Sequence, residues 1–280
     1  MSAFKLAGGK PSSPSSPIPT IVNQAASAMA INLLILAGTI EATLLAKEIS
    51  DVGVNAVLSY AGRVERVKPQ PLPKRIGGFG GVEGLCKYLE ASAISHVIDA
   101  THPFAIKMSR NAVDACAHLK VPLLALSRPP WVAQKADLWK EVDSIAAAVG
   151  LLEMPMRRVM LALGRMHLSE FCAQPQHNYL LRLVDPPAFE ISLPYFESII
   201  SRGPFTKEGD IALLQKYKID LLVSKNSGGS GARSKIDAAR YLGLPVIMIN
   251  RPNLNRERKE VQSVSRALNW LFHGDKNLGV

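Results

Sequence analysis

The first residues that could do chemistry close the first apolar run of the chain, in the segment LILAGTIEA, Leu34–Ala42. A strand ending at Gly38 and a helix beginning at Thr39 or the next residue would place free N–H groups and a positive dipole end there. This suits a pyrophosphate, with Gly38 allowing close approach and Thr39 donating its hydroxyl. Glu41, in the first helical turn, is a further candidate cofactor-binding residue. The segment is not a G-x-G-x-x-G motif, and an ordinary strand–helix turn capped by threonine is the alternative.

The end of the second predicted strand indicates which dinucleotide would bind. NAD-binding domains carry an acidic residue about 20 residues past the glycine motif, where it holds the ribose 2′-hydroxyl. Here the strand ends in LSYAGR, so Ser59 and Arg63 stand in that region in place of a carboxylate. An arginine can pair with a 2′-phosphate that a carboxylate would repel. The pattern therefore predicts NADPH rather than NADH, the alternative being that Arg63 is a solvated loop residue.

Two further loops are candidates for the cofactor site. The segment RIGGFGG, residues 75–81, carries four glycines. Gly77 and Gly78 would permit close backbone approach to a ligand, or would form a flexible hairpin. The segment DATHPF follows the third apolar run and places Thr101 and His102 where such folds meet the ribose and nicotinamide. His102 could donate a hydrogen bond or a proton, or it could cap the helix that starts at the following proline.

The most unusual stretch of the second half is SKNSGGSG, residues 224–231, which joins a strand to a helix. Its backbone N–H groups could form an anion-binding nest, and its lysine would add a point charge. It lacks the residue order of a Walker A loop. The candidate substrate-binding residues come from this stretch and from arginines near strand ends: Lys225, Asn226, Ser227, Gly228, Arg128, Arg165, Arg182 and Arg251. For each arginine, a solvated surface position is the alternative.

The elements that must position these residues alternate between short apolar runs and helical stretches. Strand–helix–strand alternation predicts parallel sheets with right-handed crossovers. The pattern restarts near Pro155, which predicts an α/β chain with two parallel-sheet domains, residues 30–153 and 154–280. Glycine, proline or polar residues follow every predicted strand, and the carboxyl ends of parallel strands share one edge of a sheet. Two such edges facing each other would form a cleft.

Charge and composition restrict the partners. The chain has 33 Lys and Arg against 23 Asp and Glu, a net charge of +10, which favours an anionic ligand. The basic residues are dispersed with few aromatics among them, which argues against nucleic acid, and no apolar run is long enough to cross a bilayer. The three cysteines lie far apart without metal-ligand spacing. They predict reduced thiols in a cytoplasmic protein without a metal site.

The first 29 residues differ from the rest of the chain. Their Pro/Ser-rich run KPSSPSSPIPT predicts a disordered tail, because it can neither hold a helix nor pack a core. No continuous apolar stretch follows Lys5 or Lys10, so the segment does not read as a secretory signal. Met29 lies just before the first predicted strand and could be the natural start.

An ordered set of motifs resembles the precorrin-6A reductase family: GTIEA, GR, RIGGFGG, DATHPFA, RPPW, LGR, GPF, SKNSGG and INRP. The resemblance extends from Ile31 to near Leu271, with Ala37 replacing the first of two glycines that the family usually has before the threonine. It implies two Rossmann-like domains with a cleft between them and NADPH held mainly by the first. It also implies reduction of one double bond of precorrin-6A, giving precorrin-6B, in cobalamin biosynthesis. The macrocycle's carboxylates would account for a basic cleft without nucleic acid.

The chemistry implied by the resemblance asks little of the protein beyond orientation and charge. Hydride transfer to a conjugated carbon is easiest when the neighbouring ring nitrogen is protonated, so the cofactor would carry the reaction. If a protein group donates a proton, His102 and Lys225 are the candidates. A cobalt-precorrin-6A reductase, a glycosyltransferase with paired Rossmann-like domains and a nonenzymatic nucleotide sensor are the alternatives. The sequence leaves the oligomeric state open and is compatible with a monomer.

Overall fold

The computed structural model describes residues 31–62, 69–186 and 190–274. Within these ranges the chain forms two six-stranded sheets, and every hydrogen-bonded pair of strands is parallel. None of the helices in these ranges is long and apolar enough to cross a bilayer. The predicted tail, residues 1–29, and Arg63 lie outside the described residues.

The first sheet has the strand order of a dinucleotide-binding Rossmann fold. Its strands are β1 (Asn32–Leu36), β2 (Asn55–Tyr60), β3 (Lys74–Ile76), β4 (His96–Asp99), β5 (Leu123–Leu126) and β12 (Lys259–Val261). They lie in the order β12-β5-β4-β1-β2-β3. This is the order 3-2-1-4-5-6 of that fold, with β12 in the sixth place.

The second sheet repeats this arrangement. Its strands are β6 (Leu138–Val142), β7 (Arg158–Ala162), β8 (Asn178–Leu183), β9 (Phe196–Ile200), β10 (Leu221–Lys225) and β11 (Pro245–Ile249). They lie in the order β6-β11-β10-β7-β8-β9, with β7 in the position that β1 has in the first sheet. The predicted α/β class with two parallel Rossmann-like sheets is therefore confirmed.

In each sheet, one edge strand is reached by a segment of the chain that crosses over from the other sheet. After β5 the chain crosses through residues 127–137 and adds β6 to the edge of the second sheet. After β11 it crosses back through residues 250–258 and adds β12 to the edge of the first. The boundary predicted between residues 153 and 154 does not match this division, because β6 already belongs to the second sheet. We call β1–β5 with β12 the first unit, and β6–β11 the second unit.

Helices cover both faces of the sheets, and several begin at residues that the sequence marks as caps. The described helices are α1 (Ile40–Asp51), α2 (Val82–Ala91), α3 (Ile106–Leu119), α4 (Ile145–Gly150), a 3₁₀ helix (Arg165–Ala173), α5 (Lys207–Lys216), α6 (Ser234–Leu242) and α7 (Val264–His273). A Ser or Thr side chain accepts a backbone N–H at the start of four of them: Thr39, Ser144, Thr206 and Ser263. These caps satisfy N–H groups that the first turn leaves unpaired.

The core of each unit lies on both sides of its sheet. In β1, Leu33 and Ile35 pack on the face covered by α1 and α7, whereas Leu34 and Leu36 pack on the face covered by α2 and α3. Successive strand residues point to opposite faces, so a strand buried on both sides must be apolar throughout. Because helices cover both faces of each sheet, the interior strands are continuous apolar runs. Polar residues that could act on a ligand are therefore confined to the strand ends.

Candidate functional site

The first cavity lies at the carboxyl edge of the first sheet, among the residues that follow β1, β2, β3 and β4, and its volume is about 210 Å³. The strand order reverses between β1 and β4, and dinucleotides bind in the crevice at such a point. Six of the nine predicted cofactor-binding residues line this cavity: Gly38, Ser59, Gly77, Gly78, Thr101 and His102. The structure thus brings together residues from four separate loops at the place where a dinucleotide would bind.

The loop between β1 and α1 is held by Thr39. Its Oγ1 accepts a hydrogen bond from Ala42 N (3.2 Å) and donates one to Ala100 O (2.8 Å). A hydroxyl has one donor, so the predicted donation from Thr39 to a phosphate is already committed to the neighbouring loop. The backbone N–H groups of the first turn of α1 are the groups left to bind a pyrophosphate here.

Beside the end of β2, strand β3 carries a cation to which the sequence analysis gave no role. Ser59 is buried, and its Oγ accepts a hydrogen bond from Arg75 Nη1 (2.8 Å). Arg75 also donates to Gly77 O (3.0 Å) and Gly78 O (3.2 Å), and its guanidinium carbon lies 3.9 Å from the centroid of the Phe79 ring. These contacts fix a positive charge beside the end of β2, where NAD-binding domains carry an acidic residue.

The signal for Arg75 was present in the sequence, because it is the first residue of the RIGGFGG segment. The four glycines of that segment predict close backbone approach, but they give no role to the arginine. Its pairing with Ser59 depends on the parallel register between β2 and β3, in which Ser59 lies opposite Arg75. The predicted role of Arg63, which lies outside the described residues, stays a prediction.

His102 forms one wall of the first cavity in its neutral state. Its Nδ1 accepts a hydrogen bond from Phe104 N (3.3 Å), so the proton of the neutral ring lies on Nε2. Burial, together with the nearby cations Arg128, Lys225 and Arg251, lowers the pKa of His102 to about 3. The predicted hydrogen-bond donation from His102 is therefore available through Nε2, whereas an imidazolium acting as a proton donor near neutral pH is not.

The second cavity occupies the equivalent edge of the second sheet and has a volume of about 290 Å³. Three of the predicted substrate-binding cations line it: Arg165, Arg182 and Lys225. The lining also contains apolar side chains, including Leu163, Met166 and Val184, and the carboxylate of Asp185, which pairs with Arg202. Met166 and Val184 are exposed although they are large and apolar. A partly apolar surface with three cations in its lining suits a large, flat ligand that carries carboxylates.

Arg182, one of the cations of the second cavity, is held by contacts within the protein. Arg182 forms an ion pair with the buried carboxylate of Asp210 and lies over the Phe205 ring, with 4.5 Å between the guanidinium carbon and the ring centroid. Asp210 also accepts a hydrogen bond from Ser234 Oγ (2.6 Å), which ties α5 to α6. Arg182 thus combines a structural ion pair with a position on the cavity wall.

Lys225 lies where the two units meet. It is the last residue of β10 and lines the second cavity, and its Nζ lies 4.9 Å from the centroid of the Phe104 ring. Phe104 belongs to the first unit and follows His102 by two residues, so the ammonium of Lys225 lies across the boundary between the units. This contact supports the predicted cleft between two carboxyl edges.

The remaining predicted substrate residues gather where residues 226–229 pack on residues 128–131, a contact that we call the junction. Asn226 is buried and pairs with the backbone of Trp131, accepting from its N (2.8 Å) and donating to its O (2.9 Å). Arg251 donates to Asn226 O (3.1 Å) and to Ser227 O (3.1 Å). Gly228 has φ +66°, and a Cβ there would overlap Pro129 O. The glycines of this segment therefore serve close packing, and contacts of these residues with a substrate stay a prediction.

The predicted cofactor residue Glu41 and the predicted substrate residue Arg128 contact each other. Arg128 Nη1 lies 2.8 Å from Glu41 Oε2, and both side chains are largely buried. The Nε of Arg128 donates to Ser227 O (2.7 Å). One guanidinium thus links the first turn of α1 in the first unit to the junction in the second, and Glu41 has a partner within the protein rather than a free carboxylate.

Comparison with known proteins decides the family. Residues 32–272 match the family described as precorrin-6x reductase CbiJ/CobK. The chain belongs to the precorrin-6x reductase family. The precorrin-6A reductase of Rhodobacter capsulatus is 53% identical over 249 residues, covering 89% of this chain and 99% of that protein. The solved structure of CobK precorrin-6A reductase superposes with a TM-score of 0.82 at 51% identity, covering 87% of this chain and 99% of that one.

Membership of the precorrin-6x reductase family confirms the resemblance and makes the chain an oxidoreductase. The glycosyltransferase and the nonenzymatic sensor considered from the sequence are therefore wrong. A cobalt-precorrin-6A reductase, that of Priestia megaterium, is 28% identical over 237 residues, covering 79% of this chain and 91% of that protein. Among the described residues of the chain, no cluster of three or more His, Cys, Asp or Glu could hold a metal ion.

A pH titration tests the neutral state of His102. The folded-state pKa of about 3 lies below the ordinary value of 6.5, so only the unfolded chain takes up a proton there as the pH falls below 6.5. The free energy of unfolding should therefore fall by up to about 1.4 kcal/mol per pH unit through this one group. His102→Gln should flatten that part of the profile in urea unfolding at several pH values. If the slope in His102→Gln equals that of the wild type, His102 takes up its proton in the folded protein at the same pH as in the unfolded chain.

Proposed function

We propose that the chain uses NADPH to reduce one double bond of the precorrin-6A macrocycle, giving precorrin-6B in cobalamin biosynthesis. The observation that carries the proposal is the pair of cavities at equivalent strand ends of two Rossmann-like sheets, with Lys225 of the second cavity contacting Phe104 of the first unit. One cavity has the place and fixed charge for a phosphorylated dinucleotide, and the other has the apolar surface and cations for a polycarboxylate macrocycle. The family membership supports the same pairing.

The residues of the first cavity fit NADPH. The N-terminus of α1 faces the carboxyl edge of the sheet and can bind the pyrophosphate. Arg75, fixed beside Ser59, provides a cation where a 2′-phosphate would lie. NADPH supplies the hydride when it is bound. The part of this chain is to hold the nicotinamide end against the Thr101–His102 loop, where His102 offers a neutral N–H donor.

The substrate would lie across the second cavity, with its carboxylates near Arg165 and Lys225 and one face on Met166 and Val184. The Lys225 ammonium is placed to stabilise negative charge, or to hold a proton, on the part of the macrocycle that reaches the first cavity. Among the two proton-donor candidates from the sequence, the burial of His102 favours Lys225.

The metal-free substrate is favoured over its cobalt form by the comparisons. Identity to the named precorrin-6A reductase of Rhodobacter capsulatus is 53%, against 28% to the named cobalt enzyme of Priestia megaterium. We further propose a cytoplasmic location, because the described cysteines Cys86, Cys116 and Cys172 are free thiols, which suits a reducing compartment.

Turnover with defined substrates tests the proposed function. The purified chain is mixed with precorrin-6A and NADPH, and the loss of NADPH absorbance and the mass of the product are followed. We expect NADPH oxidation and a product that is two hydrogens heavier. The same assay with the cobalt form should be slower. No NADPH oxidation with precorrin-6A would contradict the proposal, and faster reaction of the cobalt form would reverse the substrate assignment.

Replacing Arg75 tests the proposed choice of NADPH over NADH. Arg75→Met keeps a long side chain on the Phe79 ring but removes the charge, so NADPH binding should weaken by about 1–3 kcal/mol. NADH binding should change little, because NADH has no 2′-phosphate. Both affinities are measured by nucleotide fluorescence, with Arg63→Ala in parallel to show which arginine contributes. Equal losses for both nucleotides would mean that Arg75 shapes the loop instead of contacting the phosphate.

A further inference from the structure

Asp99, the last residue of β4, is a buried carboxylate that accepts hydrogen bonds from three separate parts of the chain. Its Oδ1 accepts from Thr101 N (3.1 Å) and Thr101 Oγ1 (2.6 Å). Its Oδ2 accepts from Ser109 Oγ on α3 (2.6 Å) and from Arg258 Nη1 (2.5 Å). Both oxygens are therefore engaged, and a buried carboxylate with such partners is held in one place.

The loop that Asp99 holds forms a wall of the first cavity. Thr101 and His102 both line that cavity, and a Cβ built on Gly38 would lie 3.7 Å from His102 N. The backbone of this loop thus directly faces the Gly38 loop across the crevice between β1 and β4. A small displacement of Thr101 would change the width of the crevice in which the nicotinamide end of a cofactor would lie.

Arg258 connects this loop to the segment that crosses between the units. It belongs to residues 250–258, which return the chain from β11 to β12. At the start of that segment, Arg251 donates to Asn226 O and Ser227 O, directly after Lys225. At its end, Arg258 forms the ion pair with Asp99, and both side chains are largely buried. One crossing segment therefore holds the loop after β10 at one end and the loop after β4 at the other.

We propose that Asp99 and Arg258 form a positioning pair that fixes the Thr101–His102 loop at the width which hydride transfer requires. Neither side chain lines the first cavity, so the pair acts through the loop and not by contact with the cofactor. This inference rests on the proposed function, because its effect is on the geometry of the cofactor in that reaction. It also gives the crossing segment a part in the reaction, since Arg258 is the last residue of that segment.

Arg258→Gln tests the pair. The substitution removes the charge that Asp99 faces, so the loop should relax and kcat should fall about tenfold, the scale of a displacement of well under 1 Å at a reacting centre. The KM for NADPH should rise, whereas the KM for the tetrapyrrole should stay within about twofold, because the second cavity is untouched. Arg258→Lys keeps the positive charge and should recover most of the lost kcat.

Arg256→Gln is a matched control on the same crossing segment. Arg256 pairs with Asp114 at 3.1 Å, but the two side chains are 53% and 38% exposed. An exposed pair contributes little, so this variant should keep the kcat, the KM values and the melting temperature of the wild type. If kcat fell equally in Arg256→Gln and Arg258→Gln, the loss would follow from the change in net charge alone, and the proposal would be overturned.

All variants are assayed well below their melting temperatures, so that loss of folded protein does not imitate loss of kcat. If Arg258→Gln fails to fold, Ser109→Ala, which removes a hydrogen bond to Asp99 from a residue outside the first cavity, should still lower kcat about threefold or more. Wild-type kcat in whichever of these variants folds would overturn the proposal. NADPH titrations by fluorescence, without the tetrapyrrole, keep the two ideas apart. A wild-type protein that binds NADPH but does not oxidise it contradicts the proposed function, whereas weaker NADPH binding in Arg258→Gln alone supports the positioning pair.

Discussion

Lys225→Ala is expected to lower kcat/KM by about 2–4 kcal/mol, or roughly 30- to 900-fold, the scale of a removed electrostatic stabiliser. Lys225 ends β10, lines the second cavity and lies over the Phe104 ring of the first unit. A charge at the contact between the two units would act on the part of the substrate nearest the nicotinamide. NADPH affinity should change little, because the first cavity is lined by other residues.

The controls for this prediction separate charge from packing. Lys225→Met keeps an apolar stem against Phe104 and should lose as much kcat/KM as the alanine variant. Lys216→Ala removes an exposed lysine of α5 in the same unit and should leave turnover unchanged. Turnover, NADPH affinity and melting temperature are measured for each. Unchanged turnover in Lys225→Ala would remove this residue from the site, and a loss of NADPH affinity would assign it to the cofactor instead.

The interior of both sheets could be predicted from the sequence, and the edges could not. The apolar runs INLLILAG, NAVLSY, SHVIDA, VPLLALSR, RRVMLALG, NYLLRLVD, IDLLVSK and LPVIMIN became the eight interior strands of the two sheets. The four strands that were missed, β3, β6, β9 and β12, are the two edges of each sheet. Their residues are mostly exposed or half-buried, so their sequences KRI, LWKEV, FESII and KEV show no apolar run.

The predicted boundary between residues 153 and 154 was placed after β6 for the same reason, because an edge strand shows no apolar run. The restart of the pattern near Pro155 was visible because β7 is interior and apolar, whereas β6 precedes it as an edge strand, LWKEV, in which two adjacent charged residues interrupt the apolar ones. Likewise, β12 has three residues and precedes α7, so nothing in its composition shows that it returns to the first sheet. Strand exchange between units is a property of pairing across the molecule, which local periodicity does not encode.

The polar residues that follow the predicted strands could be assigned to the carboxyl edges of the sheets from the sequence, but their contacts with each other could not. Arg128 and Glu41 are 87 residues apart, and their ion pair follows only from the meeting of the two units. Arg258 had no signal at all, because it lies outside every motif that the sequence analysis considered. An arginine near a strand end can face a ligand, a carboxylate or a backbone carbonyl, and the sequence does not distinguish these partners.

Gly228→Ala is expected to be among the most destabilising single substitutions in the chain. Gly228 has φ +66°, a conformation that costs a residue with a Cβ about 1–2 kcal/mol. The added Cβ would also overlap Pro129 O and Arg251 Nη2, so the junction must open or shift. Overpacking of this kind adds about 1–3 kcal/mol, which gives a total loss of roughly 2–5 kcal/mol in the free energy of unfolding.

Gly243→Ala isolates the two contributions. Gly243 ends α6 with φ +64°, nearly the same backbone conformation, but a Cβ there meets no other atom within 4 Å. This variant should therefore lose only the conformational part, about 1–2 kcal/mol. Urea unfolding gives the difference between the two variants in the free energy of unfolding, which measures the energetic cost of the close approach of residues 226–229 to residues 128–131.

Because Arg251 and Lys225 flank that contact, Gly228→Ala should also lower turnover in the folded protein, whereas Gly243→Ala should not. Equal losses of stability in the two variants would mean that the junction relaxes freely around an added methyl group and does not fix the Lys225 loop.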